Sequence, residues 1–146
     1  MHWKLLNVDP PVTYAVVLDS GDEVVGALSR FVRGREVEAA SITAIGAFRR
    51  AVLGYFEWES KKYKKIPVEE QVEVLSLIGD VAVGDDGPSL HIHAVLGRRD
   101  GSTIGGHLLE AEVRPTLEAI LIQPPSYLRK VKDPATGLAL IARNPG

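Results

Sequence analysis

Short apolar runs punctuated by turn residues make up most of the chain, and one segment departs from that pattern. Trp3–Val8 reads as a short strand closed by Asp9-Pro10-Pro11, and Val12–Leu18 as a second, rich in Val, Thr and Tyr. Then Val24, Val25, Leu28, Phe31 and Val32 recur at i, i+1, i+4, i+7 and i+8, which predicts an amphipathic helix over about 21–33. Ser20 followed by Glu23 is a capping box at its start, and Gly34 is placed to stop it. Ala40–Ile45 and Arg49–Trp58 read as two strands parted at Gly46, and the polar, basic Glu59–Lys65 as a hairpin tip. Val72–Val83 is strongly β, Gly84-Asp85-Asp86-Gly87-Pro88 is a turn, and Leu90–Leu96 is the next strand. Arg98-Arg99-Asp100-Gly101 turns the chain, Asp-Gly being a favoured hairpin pair. Thr103–Leu109 comes back, interrupted by Gly105-Gly106. Val113–Gln123 is one more strand, in which Pro115 must sit at an edge or a bulge. The tail Pro124–Gly146 carries four prolines and a last short run, Leu138–Ile141.

One capped helix, with room for a second short one, and seven or eight strands joined by tight turns predict an α+β fold. Its sheet should be mainly antiparallel, with about seven strands. A length of 146 residues suits one domain spanning 1–146, and neither repeat nor linker divides it. Seventeen Lys and Arg against 19 Asp and Glu leave a net charge of −2, which argues against a dominant DNA-wrapping surface. The absence of cysteine excludes disulfide scaffolds, thiolate metal sites and thiol nucleophiles, so any metal must rely on His, Asp, Glu or water. No stretch approaches the ~18 apolar residues of a membrane helix. The N-terminus has no signal-peptide core, so a mature cytoplasmic chain is expected.

Candidate chemistry concentrates in three of the four histidines, His91, His93 and His107, which lie within 17 residues. On a strand, His91 and His93 point the same way with Cα atoms roughly 6.5–7 Å apart, while Leu90, Ile92 and Ala94 face a core. If Gly97 pairs with Ser102 across the turn, His93 falls opposite Gly106. One extra residue at Gly105-Gly106, a bulge, then brings His107 opposite His93. Three imidazoles meeting on one face, with a fourth position open to water, is the layout of a reactive zinc site, and such an ion lowers the pKa of its water toward ~7. Zinc is the expected ion, with Glu73 or Glu110 as the expected proton shuttle. Cupin barrels also use His-x-His but place a Glu a few residues beyond the second His, and Ala94–Arg98 holds no carboxylate.

Glu73-Val74-Leu75-Ser76-Leu77-Ile78-Gly79, Leu90-His91-Ile92-His93-Ala94 and Gly105-Gly106-His107-Leu108 together resemble the signature of the PPC (plants and prokaryotes conserved) domain. The Asp22–Gly34 helix and Ser41–Ala47 fit it too, so the resemblance spans about residues 3–123. It implies an α+β fold with an antiparallel sheet of about seven strands, assembled as a homotrimer. It also implies the single-domain prokaryotic form, to whose motif the three histidines correspond. Plant relatives add an AT-hook centred on Arg-Gly-Arg-Pro; here Arg33-Gly34-Arg35-Glu36 stands at a helix end, where basic residues complement the dipole.

Two classes of function follow. One is a trimer with a three-histidine zinc site and a metal-assisted hydrolytic or lyase-type reaction on a small substrate. The other is an oligomeric module, associated with DNA or with proteins, without catalysis. For the second, Tyr55–Lys65 sets Lys61, Lys62, Lys64 and Lys65 among four aromatics, the combination that holds single-stranded nucleic acid weakly and without sequence preference. The blander reading is a solvated tip whose aromatics pack inward. Arg98-Arg99 and Arg129-Lys130-Val131-Lys132 read as small surface patches. No nucleophile elbow, P-loop or dinucleotide fingerprint appears.

Overall fold

The computed structural model describes residues 1–7, 11–123 and 130–141. In chain order the elements are β1 (His2–Asn7), β2 (Val12–Asp19), α1 (Val24–Gly34), β3 (Ala39–Glu57), β4 (Lys62–Val68), β5 (Val72–Gly84), β6 (Gly87–Gly97), β7 (Thr103–Gln123), β8 (Lys130–Lys132) and β9 (Ala139–Ile141). The first seven strands form one antiparallel sheet in the order β1-β2-β7-β6-β5-β3-β4, and β8 and β9 pair separately. Among the described residues α1 is the one helix. Val8 to Pro10, and with them the end of the first predicted strand, lie outside the described residues.

Two pairs of predicted strands are single long ones. The 40–45 and 49–58 runs join into the 19-residue β3, and the 103–109 and 113–123 runs into the 21-residue β7. Gly46 marks no chain break. It sits at φ +151°, and a Cβ there would run into the Thr116 carbonyl oxygen, so the two backbones approach where only glycine fits. Pairing steps from Gly46↔Leu117 to Phe48↔Val113, three residues of β7 against one of β3, and Pro115 lies within that bulge as predicted. β3 and β7 pair along most of their length, so the ring β3–β5–β6–β7 closes on itself and these four strands cover one another's edges.

Inside lie alternate residues of the strands of this ring, among them Ile42, Leu53, Leu77, Ile92, Leu96, Leu108, Leu117 and Leu121. The helix packs on β6 and β7 and buries Val24, Ala27, Leu28, Phe31 and Val32, the stripe its periodicity predicts with Ala27 in place of the partly buried Val25. Its ends differ from expectation. Glu23, not Ser20, is the N-cap, accepting from the backbone N–H groups of Val25 at 3.2 Å and Gly26 at 2.7 Å. Gly34 is still helical. The left-handed residue is Glu36 at φ 53°, and the N–H groups of Glu36 and Val37 reach back to the Arg33 and Val32 carbonyls, a Schellman end. Arg33-Gly34-Arg35 is therefore a helix C-terminus, as read.

The segment predicted as a hairpin tip is shorter than expected. Lys61 N–H closes onto the Glu57 carbonyl, and Lys62–Val68 runs on as β4 beside β3. Tyr63 and Phe56 lie half-buried, edge to face with ring centroids 5.4 Å apart, whereas Tyr55 and Trp58 stay exposed.

Candidate metal centre

Strand pairing lays the site out in two rows across the outer face of the closed sheet. In one row His107 lies opposite His93, His93 opposite Ile78, Ile78 opposite Thr43 and Thr43 opposite Ile120. In the next, His91 lies opposite Asp80, Asp80 opposite Ser41 and Ser41 opposite Ile122. Directly paired residues share a face, so all three imidazoles stand outside while Ile92, Ala94 and Leu96 fill the core. The His93–His107 pairing arises without the predicted bulge at Gly105-Gly106. Gly97 pairs with Thr103 rather than Ser102, so the extra residue sits in the 98–102 loop. There Asp100 accepts from the Ser102 N–H and hydroxyl, and Gly101 takes φ +83°.

The three rings converge. Centroids are 5.0 Å apart for His91 and His93, and 5.3 Å apart for each of the other two pairs. His91 Nε2 and His93 Nε2 stand 3.0 Å apart, and one nitrogen from each of the three rings lies within 4.8 Å of the others. A tetrahedral zinc with bonds of ~2.0–2.1 Å spaces its nitrogens roughly 3.3 Å apart, so small ring rotations suffice to meet it. The buried Nδ1 of His107 has no hydrogen-bond partner, so that ring has capacity to spare. The donor set fits a divalent ion of intermediate softness.

The surroundings favour the neutral form of two of these rings, His107 and His91. Burial pushes His107 down to about 4, with repulsion from His91, His93 and Lys130 adding to it. Burial likewise lowers His91, helped by His93 and Lys130 and opposed by Asp80. Tyr63 of β4 stacks on His107 with centroids 4.7 Å apart and planes 23° apart, walling one side. Gly54, opposite His107, makes room for it, since a Cβ there would sit 2.8 Å from Tyr63 Cδ1.

The other predicted site residues are not gathered here. Glu73 is exposed and opposite Gly97, four residues along β6 from His93, or roughly 13 Å. Glu110 is exposed near Lys65 (3.8 Å) and lines a shallow cleft with Glu23, Glu69 and Glu112. All four lysines of the basic segment are exposed, but Lys62 and Lys64 alternate with Lys65 on β4 and point to the opposite face, while Lys61 lies 3.4 Å over the Trp58 ring. The predicted surface patch at 129–132 is corrected in part: Lys130 is 5% exposed, and Arg129 lies outside the described residues. Two residues at the site escaped the sequence reading, Asp80 and Tyr63. Asp80 was within reach of it, because pairing Gly84 with Gly87 across the turn places Asp80 opposite His91 by counting.

No curated protein matches the sequence. Solved structures do. A metal-containing protein from Archaeoglobus fulgidus is 35% identical, with 97% of each chain covered and a TM-score of 0.83. A plant- and prokaryote-conserved (PPC) protein from Pyrococcus horikoshii is 32% identical over 98% of this chain and 96% of that one, with a TM-score of 0.85. A protein provisionally labelled DNA-binding, from Bacteroides thetaiotaomicron, is 26% identical over 96% of both chains, with a TM-score of 0.87. The family model for the Plants and Prokaryotes Conserved domain matches residues 8–123, a span that takes in the helix, the closed sheet and all three clustered histidines, and the chain belongs to that family.

Proposed function

We propose that this domain binds one divalent ion, zinc, through His91, His93 and His107, and acts as a homotrimer carrying out metal-assisted hydrolytic or lyase-type chemistry on a small substrate. The observation that carries this is the convergence of three imidazoles on one outer face, two of them held below their ordinary pKa. Neutral rings are what a metal needs as ligands. The metal-containing relative from Archaeoglobus fulgidus adds support. When bound, such an ion supplies a Lewis acid that polarises a carbonyl or phosphoryl oxygen. The protein's own part is to fix three donors on paired strands, to wall the site with Tyr63, and to leave the outer side open. The ligand set of this centre is the three histidines, and Glu73 and Glu110 are not among the residues that converge with them.

The same face supports self-association. Ile45, Leu75, Ile78, Val95 and Ile120 are exposed large apolar residues on β3, β5, β6 and β7, and four of them line one shallow depression beside the histidine rows. A contiguous apolar surface of this kind marks an interaction site. A second reading, weak and sequence-independent contact with nucleic acid through Lys61, Lys62, Lys64 and Lys65, draws on the provisional label of the Bacteroides relative and on the exposure of all four lysines. The test of the first reading is zinc titration of untagged protein beside the His91→Ala, His93→Ala and His107→Ala variants. Each variant should bind more weakly, and equal binding by all of them would overturn it.

A further inference from the structure

Lys130 is the one buried charged side chain among the described residues, and lysine is almost never buried without a partner. Its Nζ lies 2.7 Å from Asp80 Oδ1. The other carboxylate oxygen, Oδ2, faces His91 Nδ1 at 3.7 Å. The far nitrogen of that ring, Nε2, is the atom turned toward His93. A chain of three groups thus runs from β8 through β5 to the cluster, and β8 lies beyond residues 8–123, the span that the family model matches.

We propose that Asp80 is a positioning residue for the metal centre and that Lys130 is the counter-ion that holds it in place. This outer shell presupposes the metal centre proposed above. A carboxylate beside Nδ1 selects the tautomer with its proton on Nδ1, which leaves the Nε2 lone pair free to face an ion. Lys130 engages one oxygen of Asp80, which leaves the other oriented toward His91. By this contact the β8–β9 segment is tied to the site: the 130–141 hairpin docks on β5 through the residue that steers a ligand.

Two measurements test it. The first is the tautomer of His91 in metal-free wild-type protein, read from imidazole nitrogen shifts and their couplings to ring protons. The expected state is Nδ1–H, and an Nε2–H ring would overturn the proposal whether or not the protein binds metal. The second is zinc affinity, by competition with a chromophoric chelator, for wild type, Asp80→Leu, Lys130→Arg and the Asp80→Leu/Lys130→Met double variant. Asp80→Leu should bind zinc 10–100-fold more weakly, the usual loss when a ligand's orienting partner is removed, and Lys130→Arg should stay near wild type. The double variant separates orientation from charge. If Asp80→Leu binds weakly only because it strands the Lys130 charge near the ion, the double variant returns to wild-type affinity, and the orienting role is overturned. Affinity that stays low in the double variant supports it. Wild-type protein that takes up no zinc, together with an Nδ1–H tautomer, would sink the metal centre while leaving the Asp80–His91 link standing.

Discussion

At the residue scale, His107 gives the sharpest test of the site's electrostatics. Its pKa falls from an ordinary 6.5 to about 4 in the fold, with burial the leading cause. Between those values the unfolded chain holds a proton on this ring that the folded chain does not. Unfolding therefore takes up protons in that window, and the stability of metal-free protein should rise as pH goes from about 4 to 6.5 and level off above. Denaturant melts of wild type and His107→Gln across that range check this, and the variant should lose part of the slope. Zinc uptake should follow the same logic. An ordinary imidazole site loses metal below ~6.5, whereas depressed values at His91 and His107 move the competing protonation to lower pH. His2 pairs with Asp19 at 2.9 Å on β1 and β2, away from the cluster, so His2→Ala should leave zinc affinity unchanged in the same titration.

At the scale of elements, two positions carry more than their own side chain. Glu23 caps α1 and also accepts from the Ala111 N–H of β7 at 3.4 Å, so it ties the helix to the sheet. Glu23→Ala should cost about 1 kcal/mol in a urea melt, and a loss near zero would mean that the cap is replaced by water. Gly54→Val should cost roughly 1–3 kcal/mol by crowding. It should also weaken zinc binding by displacing Tyr63 from His107, which a melt and a titration read separately. The same elements show what a sequence can disclose. Leu90, Ile92, Ala94 and Leu96 alternate with His91 and His93, so the ligand face was legible from period two alone. The continuity of β3 and β7 was not, because Gly46 and Pro115 look like chain breaks when read singly. They are compatible with long strands because Gly46 lies against Thr116 and Leu117 while Pro115 falls in the bulge that follows. The helix cap was misassigned because Ser20 and Glu23 satisfy the capping-box spacing, whereas in the fold Glu23 is itself the cap and accepts from the Val25 and Gly26 N–H groups. Lys130 was illegible for a different reason. Its partner Asp80 lies 50 positions earlier, and nothing in the local pattern of Lys130-Val131-Lys132 separates a buried lysine from a solvated one.

At the scale of the whole molecule, the apolar residues Ile45, Leu75, Ile78, Val95 and Ile120 share the outer face with the histidine rows. Covering that surface with further copies would shield the ligands' open side from bulk water. Mass in solution should be about three times 15.8 kDa, and Ile78→Asp, beside His93 on that face, should lower it. A stable monomer at micromolar concentration would contradict the homotrimer. Any nucleic-acid binding should be weak, indifferent to sequence and steeply salt-dependent, and replacing Lys61, Lys62, Lys64 and Lys65 with Gln should abolish it. Tight sequence-specific binding at physiological salt would show that the DNA-binding reading had been undervalued.

The most direct measurement is the metal content of untagged protein after zinc loading and removal of excess ion, beside the His91→Ala/His93→Ala/His107→Ala triple variant. A polyhistidine tag would bind metal itself, so its absence matters. About one zinc per wild-type chain, and close to none in the triple variant, is the expected result. Folded wild-type protein that retains no zinc, or a triple variant that retains as much as wild type, would contradict a three-histidine metal centre.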